Sequence, residues 1–178
     1  WMAAGFVHGV LNTDNLNICG ESFDYGPWRF APVSDPTFTA AYFDETGLYA
    51  FGRQPEAVSW ALAQLGGALS LVCPPALLEA ELQRFGGAYQ AGLRDGVFGR
   101  LNLLPGDLGA DVQFLSDLFG WLSETRAGWD QFFFDWYCGA GSAERAAASP
   151  QAALYADAAF SPIRAEMEAR TSGVASQF

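Results

Sequence analysis

The sequence predicts a mainly α-helical protein with a small β element near its N-terminus, an α+β fold. Three observations carry this. From Gln54 onward, apolar residues recur at helical spacing over most of the chain. Before Gln54, prolines and glycines interrupt the chain too often for long regular elements. The 178 residues are 51% hydrophobic and include six Trp and fifteen Phe, enough for a packed aromatic core.

In chain order, residues 1–7 read as the end of a helix closed by Gly9. Leu16–Cys19 and Ser22–Phe23 read as two short strands joined by a tight turn at Gly20-Glu21. Asp24-Tyr25-Gly26-Pro27 then breaks regular structure. Residues 27–53 read as a long ordered loop with about one helical turn, of the kind that carries function or packs beside it. A helix opens at Gln54-Pro55, with proline suited to its first position and Val58, Ala61, Leu62, Leu65 and Leu69 on one face. A second opens at Pro74-Pro75, with Leu78, Leu82, Phe85, Tyr89 and Leu93 spaced for burial and Gly86-Gly87 weakening it. Residues 95–106 read as a glycine-rich turn. Asp107 is the expected N-cap of the most amphipathic helix, striped by Leu108, Val112, Leu115, Leu118, Phe119 and Leu122. A short aromatic helix follows, with Trp129, Phe132, Phe133, Trp136 and Tyr137 on one side. Residues 139–149 read as a loop, 150–170 as a last helix interrupted at Pro162, and the tail from Thr171 as frayed.

There is no internal repeat and no linker. The expected organisation is one partial domain over 1–178: a motif region at 1–26, a long loop at 27–53, a helical bundle at 54–170 and a tail at 171–178. The opening Trp1-Met2-Ala3-Ala4-Gly5-Phe6 lacks a basic n-region and does not read as a signal peptide. It reads as the last turn of a truncated helix, so the chain is expected to be the C-terminal part of a longer protein.

The formal net charge is -11. It argues against nucleic acid and anionic membranes as partners, since both require cations to neutralise phosphate. All nine basic residues are arginine, and no lysine is present. No apolar run reaches the eighteen residues of a membrane span. Cys19, Cys73 and Cys138 form no C-x-x-C pair, so a zinc knuckle is not available, and reduced thiols in a reducing compartment are expected.

The residues that carry chemistry lie in His8-Gly9-Val10-Leu11-Asn12-Thr13-Asp14-Asn15, followed by Asp24-Tyr25-Gly26. Protein kinases hold nucleotide phosphates through two metal ligands. One is an Asn seven residues after a loop His, and the other is the Asp of an Asp-Phe-Gly turn. Asn15 lies seven residues after His8, and Asp24-Tyr25-Gly26 follows a short apolar run. Mg²⁺ prefers such oxygen ligands. The kinase base position, two residues after the His, is Val10. The nearest carboxylate is Asp14, which leaves open a base acting from Asp14 or a pseudoenzyme. An aminoglycoside-kinase type of site ranks lower for the same reason. Taken alone, His8 reads as a structural histidine and Asp44-Glu45 as a solvated turn. Arg29 and Arg53 read as surface ion-pair residues more readily than as phosphate ligands.

The same stretch, with Gly47-Leu48-Tyr49-Ala50-Phe51, Gln54-Pro55 and Trp60, closely resembles the signature of the selenoprotein O family, most densely over residues 1–70. The resemblance implies the C-terminal lobe of a protein-kinase-like fold and transfer of AMP from ATP to Ser, Thr or Tyr hydroxyls of protein substrates, with ATP bound in reverse. It implies Asp14 as proton acceptor, Asn15 and Asp24 as ligands of Mg²⁺ or Mn²⁺, and Asp24 beside the nucleotide. The glycine-rich loop, Lys–Glu pair and phosphate-holding arginines of the family would then lie in an N-terminal lobe absent from this chain, leaving it inactive alone. A non-catalytic lobe that binds a protein partner is the alternative. Where many relatives carry a loop cysteine this chain has Ala40, so their redox switch is not expected here. A cytoplasmic location is expected for a bacterial protein, mitochondrial for a eukaryotic relative.

Overall fold

The computed structural model describes residues 1–171. Residues 172–178 of the expected tail lie outside the described residues. The fold is mainly helical, with one two-stranded sheet. The chain forms two compact units. The first comprises Trp1–Met2, Phe6–Ala31 and Asp35–Ala91; the second comprises Ala3–Gly5, Pro32–Ser34 and the chain from Gly92 on.

The N-terminus departs from the expected helix end. A single 3₁₀ turn at Met2–Ala4 stops at Gly5, whose φ of +67° reverses the chain into strand β1, Phe6–Val7. β1 pairs antiparallel with β2, Arg29–Phe30, with Phe6 opposite Phe30. The expected strand pair at 16–23 is reduced to one bridge, Leu16 with Ser22, closed by Asn17 and Glu21. Strands of two residues have no period to read, so this pairing left no sequence signal. Residues 31–50 are irregular, and a 3₁₀ turn at Phe51–Arg53 leads into helix α1, Gln54–Leu69, with Pro55 in its first turn as expected. Its apolar face is only half-buried, and Gln54 is its one buried residue. Helix α2, Pro75–Gln83, packs on α1.

The division between units falls in helix α3, Phe85–Leu101. Two expectations change here. The break comes at Arg84, before Gly86-Gly87, and the expected turn at 95–106 is helical through Leu101. Burial of Val97, Phe98 and Leu101 outweighs the roughly 1 kcal/mol helix cost of each glycine.

The second unit contains the aromatic core. Asp107 caps helix α4, Leu108–Thr125, accepting from the Gly109 and Ala110 N–H groups. Phe114, Leu115, Leu118, Trp121 and Leu122 of α4 are buried, whereas Leu108 is half exposed. Helix α5, Trp129–Asp135, buries Trp129, Phe132 and Phe133 with Trp136 behind them, and Tyr137 stays exposed. The segment expected as a loop at 139–149 holds a 3₁₀ turn and helix α6, Ala143–Ala147, because Arg145 and Ser142 both bond the Tyr137 carbonyl. Beyond it lie helix α7, Ala152–Tyr155, and helix α8, Ser161–Arg170. Pro162 starts α8 instead of interrupting it. Phe160 completes the core, its ring centre 4.7 Å from Trp121 and 5.1 Å from Trp136. Thr171, expected as frayed tail, is held by bonds to Met167 and Ala140.

Two buried carboxylates organise this unit. Asp135 accepts from the Tyr155 phenol at 2.7 Å and Gln131 at 2.8 Å; burial, with Asp135 beside it, pushes the Tyr155 phenol pKa upward. Asp111, fully buried, accepts from the Gly106 amide and from Arg170 Nε at 3.2 Å, with Arg94 at 4.0 Å. Asp111→Ala removes the shared buried acceptor of the Gly106 amide and Arg170 and is expected to lower unfolding free energy by about 2 kcal/mol, read as a shift in urea midpoint. A loss below about 1 kcal/mol would mean that Arg170 is held by Glu166 alone.

No helix among the described residues is long and apolar enough to cross a membrane. The three cysteines are free thiols, with Cys19 exposed and Cys138 buried.

Candidate functional site

The site grows out of the end of β1. His8 is fully buried there. The Val10 N–H donates to His8 Nδ1 at 3.3 Å, so that nitrogen carries no proton in this arrangement. Nε2 therefore holds the hydrogen and donates to Ser22 Oγ at 2.9 Å, and the Ser22 hydroxyl donates onward to the Asn15 carbonyl at 2.8 Å. The ring acts as a neutral strut between loop segments, the structural role its residue type suggested.

Burial lowers the His8 pKa, an effect partly offset by the negative charge of Asp24. A histidine whose folded pKa is depressed resists protonation only when folded. Its stabilisation is present above the unfolded value near 6.5 and is lost as pH falls below that value toward the folded one. In metal-free buffer, wild type is expected to lose melting temperature between about pH 7 and pH 5 more steeply than His8→Gln. Parallel pH profiles would contradict the neutral strut.

Gln54, the first residue of α1, is a functional support that no sequence motif singles out for this role. Its Oε1 accepts from the His8 amide at 2.9 Å, and its Nε2 donates to the Phe6 carbonyl at 2.9 Å. Ser22 likewise belongs to no motif, and only its place in the fold reveals it. Gly26 sits where a Cβ would meet Val10 Cγ2 at 3.0 Å, so any larger residue there would push Val10 aside by a few tenths of an ångström.

The loop itself ends in a 3₁₀ turn, Thr13–Asn15. Asn15 is buried, and its Nδ2 donates to the Val10 carbonyl at 2.7 Å. That bond fixes the amide and leaves Oδ1 as its unused atom. Asp14, next in the chain, is exposed, and its carboxylate makes no hydrogen bond or ion pair among the described residues. Asp24 is also exposed and lies close enough to act on the His8 ring; the Leu16–Ser22 bridge ties its segment to the loop. Among the described residues, no three His, Cys, Asp or Glu side chains converge on one point. The candidate donors are one amide and one carboxylate.

Asp14 lines a cleft of about 860 Å³. Leu11 to Thr13 continue its near wall, Leu48 and Tyr49 form one side, and Arg53 at the end of the 3₁₀ turn joins Glu56 and Trp60 of α1. Asp44 caps the turn that places Leu48 and Tyr49, accepting from both backbone amides at 2.8 Å, and the Tyr49 hydroxyl donates to Asn12. This is the solvated-turn role expected of Asp44-Glu45. Arg53 pairs with Glu56 at 3.0 Å, and Arg29 lies in exposed β2.

The residues thus present an unpaired carboxylate on a cleft, the neighbouring amide pinned through its nitrogen, and a second exposed carboxylate in the segment that follows. The sequence profile of the protein adenylyltransferase SelO family matches residues 1–157, well past the stretch of densest resemblance. The chain belongs to the SelO family. It is 42% identical over 135 residues to the protein nucleotidyltransferase YdiU of Trichormus variabilis, covering 76% of this chain and 28% of that protein. It is 56% identical over 91 residues to that of a Synechococcus species, covering 51% of this chain and 18% of the relative. With the Myxococcus xanthus protein the identity is 38% over 133 residues, or 75% of this chain and 27% of that one. The chain thus spans under a third of the length of these relatives.

Proposed function

We propose that this chain forms the C-terminal lobe of a protein-kinase-like fold and supplies one half of a protein adenylyltransferase site, transferring AMP from ATP to Ser, Thr or Tyr hydroxyls of proteins. The observation that carries the proposal is the unpaired Asp14 carboxylate on a cleft, directly beside an Asn15 amide whose nitrogen is already spent. In this reading Asp14 accepts the proton of the acceptor hydroxyl. The hydroxyl oxygen bonds to the α-phosphorus of ATP, the bond from that phosphorus to the bridging oxygen breaks, and pyrophosphate leaves. Asn15 Oδ1 and the Asp24 carboxylate are hard oxygen donors that suit Mg²⁺ or Mn²⁺. The bound ion supplies neutralisation of phosphate charge. Since this chain contains no lysine, the remaining phosphate contacts are assigned to the part of the family's length that it does not span.

The test is incubation of the full-length protein with ATP labelled in the α-phosphate and Mg²⁺ or Mn²⁺. Labelled protein, itself included, is the expected result. Absence of any labelled protein overturns the proposal and leaves the non-catalytic, partner-binding lobe as the reading.

A further inference from the structure

We propose that the cleft beside Asp14 is the seat of the acceptor polypeptide, and that it favours a hydroxyl-bearing segment flanked by basic and apolar residues. This rests on the transferase reading above and adds where and how the acceptor is held. Three features point to it.

The first is charge. The ionised side chains lining the cleft are Asp14, Arg53 and Glu56. Arg53 and Glu56 are joined to each other, which leaves Asp14 as the uncompensated charge. A triphosphate entering here would meet two carboxylates and one arginine already paired with one of them, whereas a segment carrying Lys or Arg would be attracted. The formal charge of -11 on the chain acts in the same direction.

The second is the apolar surface. Trp60 is 63% exposed and Leu48 is 48% exposed, both on the cleft. A large aromatic ring on a helix and an apolar side chain lining the same groove are the kind of surface on which peptide side chains anchor. Both walls are fixed in advance, one by α1 and the other by the Asp44-capped turn, so the peptide alone needs ordering.

The third is position. Neither Asn15 nor Asp24 lines the cleft, but Asp14 does. Asp14 is thus the residue shared by the cleft and the candidate metal loop. A hydroxyl delivered along the cleft reaches the proton acceptor without passing the phosphate side.

The experiment uses the full-length protein, labelled ATP and two synthetic peptides with a central Ser-Thr-Tyr cluster, one flanked by Arg and Leu and one by Glu and Leu. The basic peptide is expected to have the lower KM. Trp60→Ala is expected to raise its KM about tenfold while the KM for ATP stays unchanged. Glu56→Gln is expected to narrow the preference for the basic peptide. Val72→Ala, exposed and outside the cleft, serves as the control. The acceptor assignment falls if Trp60→Ala leaves the peptide KM unchanged, if it raises the KM for ATP instead, if the acidic peptide is preferred, or if proteins are labelled but neither peptide is. Absence of labelling of any protein or peptide by wild type brings down the transferase reading itself, which separates the two failures.

Discussion

Asp24→Ala in the full-length protein is expected to lower AMP transfer about a thousandfold or more, the scale of losing a principal charge-stabilising contact in phosphoryl chemistry. The side chain is exposed and makes no hydrogen bond among the described residues, so the substitution should leave thermal stability within about 0.5 kcal/mol of wild type. That separation makes the test sharp, because lost activity with an unchanged melt cannot be attributed to misfolding. Asn15→Ala is the less clean variant, since it also breaks the Asn15–Val10 bond that shapes the loop. Transfer retained within about tenfold in Asp24→Ala would remove Asp24 from the proposed metal site.

The second large effect is expected at Asp14. Asp14→Asn keeps the size and shape of the side chain and removes its capacity to take a proton. Turnover should slow by roughly a hundredfold to ten-thousandfold, the range of general base catalysis, with little change in the KM for ATP. The unpaired state of the carboxylate matters here: no arginine partner is broken by the substitution, so no uncompensated cation is created. Turnover within about threefold of wild type would assign proton removal to another group. A rise in KM for ATP at unchanged turnover would make Asp14 a nucleotide contact.

Much of this was readable from the residues, for reasons that differ by element. The α4 stripe and its Asp107 cap have a helical period and a chemically distinctive end, so both carried a signal. Pro55 and the aromatic face of α5 were legible in the same way. The β1–β2 pairing was not, because it joins two residues to two others across more than twenty positions, and no local pattern encodes that. The helical course of α3 through Gly96 and Gly99 contradicts local propensity; burial of the neighbouring apolar side chains decided it. At the site, the motif spacing singled out Asp14, Asn15 and Asp24, but not the groups that hold their loop. Ser22 and Gln54 are ordinary residues whose importance lies in atoms they meet after folding. The cleft was equally invisible. One wall is a helix face that a periodicity reading assigns simply as exposed, and the other is a turn placed by Asp44.

The grip of Gln54 on both Phe6 and His8 has a consequence for what substitution at this position can do. One oxygen takes a hydrogen from the strand's successor while the nitrogen on the same carbon gives one to the strand itself. Glutamate has no hydrogen to give, asparagine is one methylene shorter, and lysine has nothing that accepts. Position 54 works as a lock cut for a single side chain, and the key is a primary amide of one length.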